Sequence, residues 1–269
     1  MKNIRNLFLL FVFVFCGCID ITQNIAIRKD GSGTVALTCL IPERTISQMR
    51  TMQKLKKEMI RVAGIGNPST KLRAGAEGSG TRGAVREDEI VSRHFDLLFD
   101  PVEERIRKEL KQYEKNGVFV ESMRISVRNA RRIVKINLRF RNLAKAAESD
   151  LFKAHWPFTL SRTAEGHYQF RGRIGMGGKS SMSSSKPETM KSLAPILSEF
   201  KAVLKVGVPG KIIRTNASRK SDSLAIWVYD FNKNQNAFYA FRNCHMNVLF
   251  TGKGLDLPEV MATKSSKRD

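Results

Sequence analysis

Long apolar runs are scarce in this sequence. The longest stretch of large apolar residues near the start, Leu7–Phe15, is about half of the ~20 residues that a membrane-spanning helix needs. No permanent transmembrane span is therefore expected. Histidine is rare as well. His94, His155, His167 and His245 are scattered, with no HExxH or His-x-His spacing, so no metal centre is expected. No serine lies in GxSxG. The Gly-rich stretch 64–86 contains no GxxxxGK[ST]. The carboxylate pair Glu103-Glu104 falls on a solvated helix face. These absences argue against enzymatic chemistry, and the chain is read as non-catalytic, with no cofactor and no metal.

Acidic residues are outnumbered. There are 25 Asp and Glu against 47 Lys and Arg, a net charge of +22 and a pI of about 10.2. Such a balance usually points to nucleic acid. The first residues redirect it. Lys2 and Arg5 form a basic head, Leu7–Phe15 an apolar run, and Gly17 precedes Cys18. This is the layout of a secretory signal, and it resembles a bacterial lipobox, in which the cysteine becomes the first mature residue and carries acyl chains. Residues 1–17 are read as signal peptide and Cys18 as the lipid attachment site. Residues 18–269 are read as an extracytoplasmic domain anchored to the bacterial cell envelope. Two or more acyl chains, at ~0.8 kcal/mol per buried CH₂, anchor a protein stably. Export leaves lipid headgroups, envelope glycans and acidic proteins as the anionic partners, with no nucleic acid.

Cysteine is sparse too. Beyond Cys16 and Cys18 there are only Cys39 and Cys244. An oxidising compartment permits a disulfide between these two. The alternative is a pair of buried thiols, which the alternation of Val35, Leu37, Cys39 and Ile41 supports.

The periodicities predict an α+β fold: antiparallel sheets built from hairpins, with packed amphipathic helices and a strand-rich C-terminal part. Residues 19–28 and 34–41 read as strands around the turn Lys29–Gly33, with Asp30 as a turn residue. Residues 44–62 read as an amphipathic helix, 64–86 as a loop and 90–98 as a strand. Asp100 and Pro101 read as N-cap and first residue of a helix that Gly117 ends. Residues 118–128 and 132–141 read as a hairpin, 143–150 as a short helix, and 156–162 with 167–174 as a third hairpin. Then follow a linker at 175–186 and helical spacing from Pro187 to Leu204, divided at Pro195. Strands are expected at 205–215, 224–231 and 238–250, the middle one buried on both faces, before a polar tail at 263–269.

The hairpin 118–141 carries the clearest candidate site. Val134, Ile136, Leu138 and Phe140 alternate with Lys135, Arg139 and Arg141, and Phe119, Met123, Ile125 and Val127 alternate with Arg124 and Arg128. One face is apolar and the other basic. Arg124, Arg128, Lys135, Arg139 and Arg141 are the candidate contacts to anionic lipid headgroups or similar polyanions. Arginine suits this because its planar fork binds phosphate bidentately. The bland alternative is a solvated face, or one neutralised by acidic residues of the 101–116 helix.

Further on, Val206-Gly207-Val208-Pro209-Gly210-Lys211-Ile212, Thr215-Asn216-Ala217 and Ile226-Trp227 look like the PGK…N…W signature of LppM-type bacterial lipoproteins. The lipid cysteine, the hairpin around Lys29–Gly33 and the helix after Ile41-Pro42 are similar to the start of the same family. The resemblance covers about the first 45 residues and residues 205–230. It implies an α/β domain tethered outside the cytoplasmic membrane and, in at least one branch, binding of polar lipids. Two functions are carried forward: a tethered domain that binds polar or anionic lipid, and a surface adhesin or interaction module that binds anionic glycans or acidic proteins.

Overall fold

A computed structural model of the chain describes residues 19–48, 50–51, 54, 102–174, 200–234 and 236–261. The candidate lipid site Cys18 and the strand expected at 90–98 lie outside these residues, as do most of the 44–62 helix and the 175–186 linker.

Eleven strands form two sheets among the described residues. The first sheet is built on β1 (Asp20–Ile27) and β2 (Gly33–Pro42), which pair antiparallel from Asp20↔Leu40 to Ile27↔Gly33. The hairpin turn is tight for reasons visible in its residues. Asp30 Oδ1 accepts from the Ser32 amide (3.0 Å) and hydroxyl (2.8 Å), and these bonds hold the carboxyl below its ordinary range. Asp30 is thus a turn residue, as expected. Gly33 has no space for a side chain: a Cβ there would stand 2.1 Å from the Ala26 carbonyl oxygen.

β3 (Val118–Arg128) and β4 (Arg131–Phe140) form the second hairpin, and β4 pairs with β2. Asn129 and Ala130 both have positive φ, 51° and 54°, as a two-residue type I′ turn requires. Beyond β1 lies β7 (Lys201–Gly207), the one parallel neighbour, then β10 (Leu224–Asp230) and the two-residue β9 (Arg219–Lys220). The order is β3-β4-β2-β1-β7-β10-β9. The second sheet has the order β5-β6-β11-β8, from β5 (Phe158–Arg162), β6 (Tyr168–Arg173), β11 (His245–Phe250) and β8 (Ile212–Thr215).

Period-2 alternation decides which face is buried. Ile25, Val35, Cys39, Val134, Leu138, Leu204, Val206 and Trp227 all point inward from the first sheet and are at most 4% exposed. They join one core with Leu160, Phe170, Val248 and Phe250 of the second sheet. A helix begins at residue 43 and buries Ile46; we call it α1. It is tied to β4 by Glu43, whose carboxylate meets Arg132 Nε at 3.0 Å. α2 (Glu103–Lys111) buries Ile106 and packs on β3, with Arg107 donating to the Met123 carbonyl. α3 (Leu143–Glu148) and α4 (Asp150–His155) follow β4, and Phe152 of α4 bridges the sheets, edge-on to Phe140, Trp156 and Phe158. α5 (Ala237–Arg242) buries Ala237 and Phe241 one turn apart.

The class and the hairpins match the expectation, and four local readings are corrected. α2 starts at Glu103, because Val102, at its N-cap position, is still extended (φ −98°, ψ 115°); the expected cap residues Asp100 and Pro101 lie outside the described residues. Leu204 belongs to a strand: Ala202, Leu204 and Val206 alternate inward along β7. Residues 237–242 are helical, and only His245–Phe250 of the expected final strand is a strand. β10 lies between β7 and the short β9, with one face buried and the other half-buried.

Candidate functional site

The basic hairpin forms as a single surface. Arg124 stands opposite Lys135 in the β3–β4 register, and Arg128 opposite Arg131. Arg124, Ser126, Arg128, Ile133 and Lys135 line a depression of about 160 Å³. Arg139 and Arg141 share the ring of Phe119, with guanidinium carbons 5.7 and 4.9 Å from its centroid. Phe119 was expected on the apolar face. The register shift between Val120 and Ser122, with Glu121 unpaired, moves it opposite Arg139 instead. Arg131 joins the cluster, a member the alternation left unremarked. Two acidic residues of α2 are paired within the helix itself: Glu103 with Arg107 at 2.7 Å, and Glu109 with Arg105 at 4.0 Å.

Cys39 and Cys244 are brought to separate places as free, buried thiols, so the disulfide alternative is set aside. Cys39 is packed among core side chains of β2, and burial pushes its thiol up to about 12. Cys244 lies beside Tyr229; burial raises both groups, and their hydrogen bond raises the phenol further and partly offsets the rise of the thiol.

A larger concavity lies on the second sheet, where sequence reasoning named no site. It is a groove of about 780 Å³ between α3, the β5-β6-β11 strands and the C-terminal segment. Ala144, Ala147, Phe158, Met246 and Val260 supply apolar lining, while Lys153, Arg171 and Arg173, with Glu148 and Glu259, supply charge. Local chemistry fixes these parts. Asn142 caps α3 by accepting from the Lys145 amide at 3.0 Å. Ser149, 1% exposed, closes the α3–α4 junction, donating to the Ala146 carbonyl and accepting from the Phe152 amide. Val260 is clipped to β5 by two backbone bonds with Leu160, of 2.9 and 2.8 Å. Gly172 keeps the floor low: a Cβ there would meet Phe170 and Met246 at 3.0 and 3.1 Å.

The PGK…N…W residues have structural roles. A Cβ on Gly210 would stand 2.2 Å from the Thr251 carbonyl oxygen, and Lys211 exchanges bonds with Thr251 across that contact. Asn216 joins the two sheets. Its Oδ1 accepts from Trp227 Nε1 (3.2 Å) and from the Asn247 amide (2.9 Å), and its Nδ2 donates to the His245 carbonyl (2.6 Å).

No family model and no curated protein sequence matches the chain. Among solved structures, the folded domain of Mycobacterium tuberculosis LppM, determined by NMR, is a neighbour. It is 12% identical, over 88% of this chain and 91% of that one, with a TM-score of 0.36. A score of that size does not equate the two folds. Among the described residues, no helix is long and apolar enough to cross a membrane, and no cluster of three or more His, Cys, Asp or Glu could hold a metal.

Proposed function

We propose that this chain is an exported, non-catalytic envelope lipoprotein, acylated at Cys18, whose folded domain holds a polar or anionic lipid in the groove beside α3. The observation that carries the reading is the pairing of apolar lining with cations in one concavity of about 780 Å³. That volume falls within the ~300–1,000 Å³ typical of small-molecule sites. Ala144, Ala147, Phe158, Met246 and Val260 offer a hydrocarbon a surface without polar atoms, and Lys153, Arg171 and Arg173 border the groove as cations for a phosphate, the two arginines alternating with Gly172 along β6. The N-terminal layout keeps the domain at a membrane, where such ligands are concentrated.

The test is a titration of the full-length protein, in neutral detergent, with NBD-labelled phosphatidylglycerol. Saturable binding is expected for the wild type. Ala147→Trp, which fills the groove, should abolish it while the melting temperature stays near that of the wild type. Arg171→Gln with Arg173→Gln should weaken the anionic probe more than NBD-phosphatidylcholine. Undiminished binding by a folded Ala147→Trp variant would remove the groove from the function.

A further inference from the structure

The outward face of the first sheet is a second site, distinct from the groove. Along the middle of its two central strands the side chains there are short and uncharged, and Asp20 and Leu40 stand at one end. Thr22, Asn24 and Ala26 of β1 lie in register with Thr38, Ala36 and Thr34 of β2. Longer cationic side chains flank this strip. On one side, Lys135 and Arg139 of β4 lie next to Thr38 and Thr34, with Arg124 of β3 beyond Lys135. On the other, Lys205 of β7 lies next to Asn24. Strands are about 4.8 Å apart, so β4 and β7, three steps apart, stand roughly 14 Å from each other across the sheet. The result is a shallow trough with hydroxyl and amide groups on its floor and cations on both banks.

The charge on the banks is uncompensated among the described residues. No ion pair joins Arg124, Lys135, Arg139 or Lys205 to a carboxylate. The acidic residues of these strands stand at its margins: Asp20 and Asp230, on the same face at one end of the trough, flank Lys201 in register, and Glu121 is the unpaired residue of the β3 bulge. Like charges on neighbouring strands repel unless an anion lies between them.

We propose that this trough binds a linear anionic glycan, laid along β1 and β2 with its acidic groups on the flanking Lys and Arg and its hydroxyls on the Thr and Asn floor. A membrane surface fits less well. A flat bilayer would touch the tips of the cations and never reach Thr22, Ala36 or Thr38. Single-stranded nucleic acid would want aromatic platforms for its bases, and among the described residues the aromatic of this face, Phe119, is already covered by Arg139 and Arg141. The inference does not rest on the lipid groove.

The experiment uses full-length protein in neutral detergent and a fluorescein-labelled heparin-derived dodecasaccharide, read by polarisation. Sedimentation with phosphatidylglycerol vesicles and binding of a labelled single-stranded oligonucleotide are the comparisons. Affinity for the glycan should fall as salt rises. Lys135→Gln with Arg139→Gln should weaken it about ten-fold, which is ~1.4 kcal/mol. Lys205→Gln, on the opposite bank, should also weaken it. Ala36→Phe places a ring on the floor without changing charge. It should abolish glycan binding and leave vesicle sedimentation unchanged. Thr38→Phe makes the same test if Ala36→Phe fails to fold. Wild-type affinity in both Lys205→Gln and the floor variant would overturn the trough. So would tighter binding of the oligonucleotide than of the glycan.

Discussion

Asn216 offers a quantitative test of how the two sheets are joined. Replacing it by alanine removes three hydrogen bonds: those with Trp227 Nε1, the Asn247 amide and the His245 carbonyl. A typical bond contributes ~0.5–1.5 kcal/mol, and a buried group left without a partner costs ~1–3 kcal/mol. Asn216 itself is exposed, so water recovers part of the loss at its two backbone partners. Trp227 is 4% exposed, and its indole N–H has less access to water. The sum points to about 2–4 kcal/mol for Asn216→Ala. In a chain of this size that lowers the melting temperature by roughly 4–16 °C, at ~2–4 °C per kcal/mol. Trp227→Phe removes one of the same bonds and some packed area, so the two substitutions should not add. A double-mutant cycle in urea should give a coupling of about 0.5–1.5 kcal/mol. Additivity within about 0.3 kcal/mol, or a cost below about 0.5 kcal/mol for Asn216→Ala, would refute the link.

Gly210→Ala should destabilise by about 1–3 kcal/mol, as overpacking does, because its Cβ meets backbone oxygen at 2.2 Å; urea midpoints that match the wild type would contradict this. The Cys39 thiol, raised to about 12 by burial, should resist maleimide at neutral pH until the domain unfolds. The unfolded chain loses that proton near pH 8.5 while the fold keeps it, so the unfolded state binds fewer protons above that pH. Stability should therefore fall as pH rises from about 8.5 towards 12, and less steeply in Cys39→Ala. Cys18→Ser should leave the precursor unprocessed by lipoprotein signal peptidase and out of the detergent phase; equal partitioning of mutant and wild type would reject the anchor.

Much of the fold was legible where one face is wet and the other dry. Lys135, Asn137 and Arg139 alternate with Val134, Leu138 and Phe140 strongly enough to place β4 and its basic face. The failures have local causes. Phe119 kept its parity in sequence and lost it in space, because the Glu121 bulge adds one residue to β3. Phe200 and Leu204 are four apart, which suits a helix, yet Ala202, Leu204 and Val206 pair with β1 as a parallel strand whose partner is about 180 residues away. Short apolar runs do not distinguish the two periods. The groove was not legible at all. Its lining comes from α3, β5, β6, β11 and Val260, which only the topology brings together, and the alanines and glycine that keep it open look unremarkable in a string of letters.

The most direct measurement is photocrosslinking of the full-length protein with a diazirine-bearing phosphatidylglycerol, followed by peptide mass spectrometry. The account predicts labels on Ala144–Ala147, on β5 near Phe158 and on the segment around Val260, and their loss in Ala147→Trp. Labels confined to β3 and β4, or labels that persist on the groove peptides of a folded Ala147→Trp protein, would contradict it.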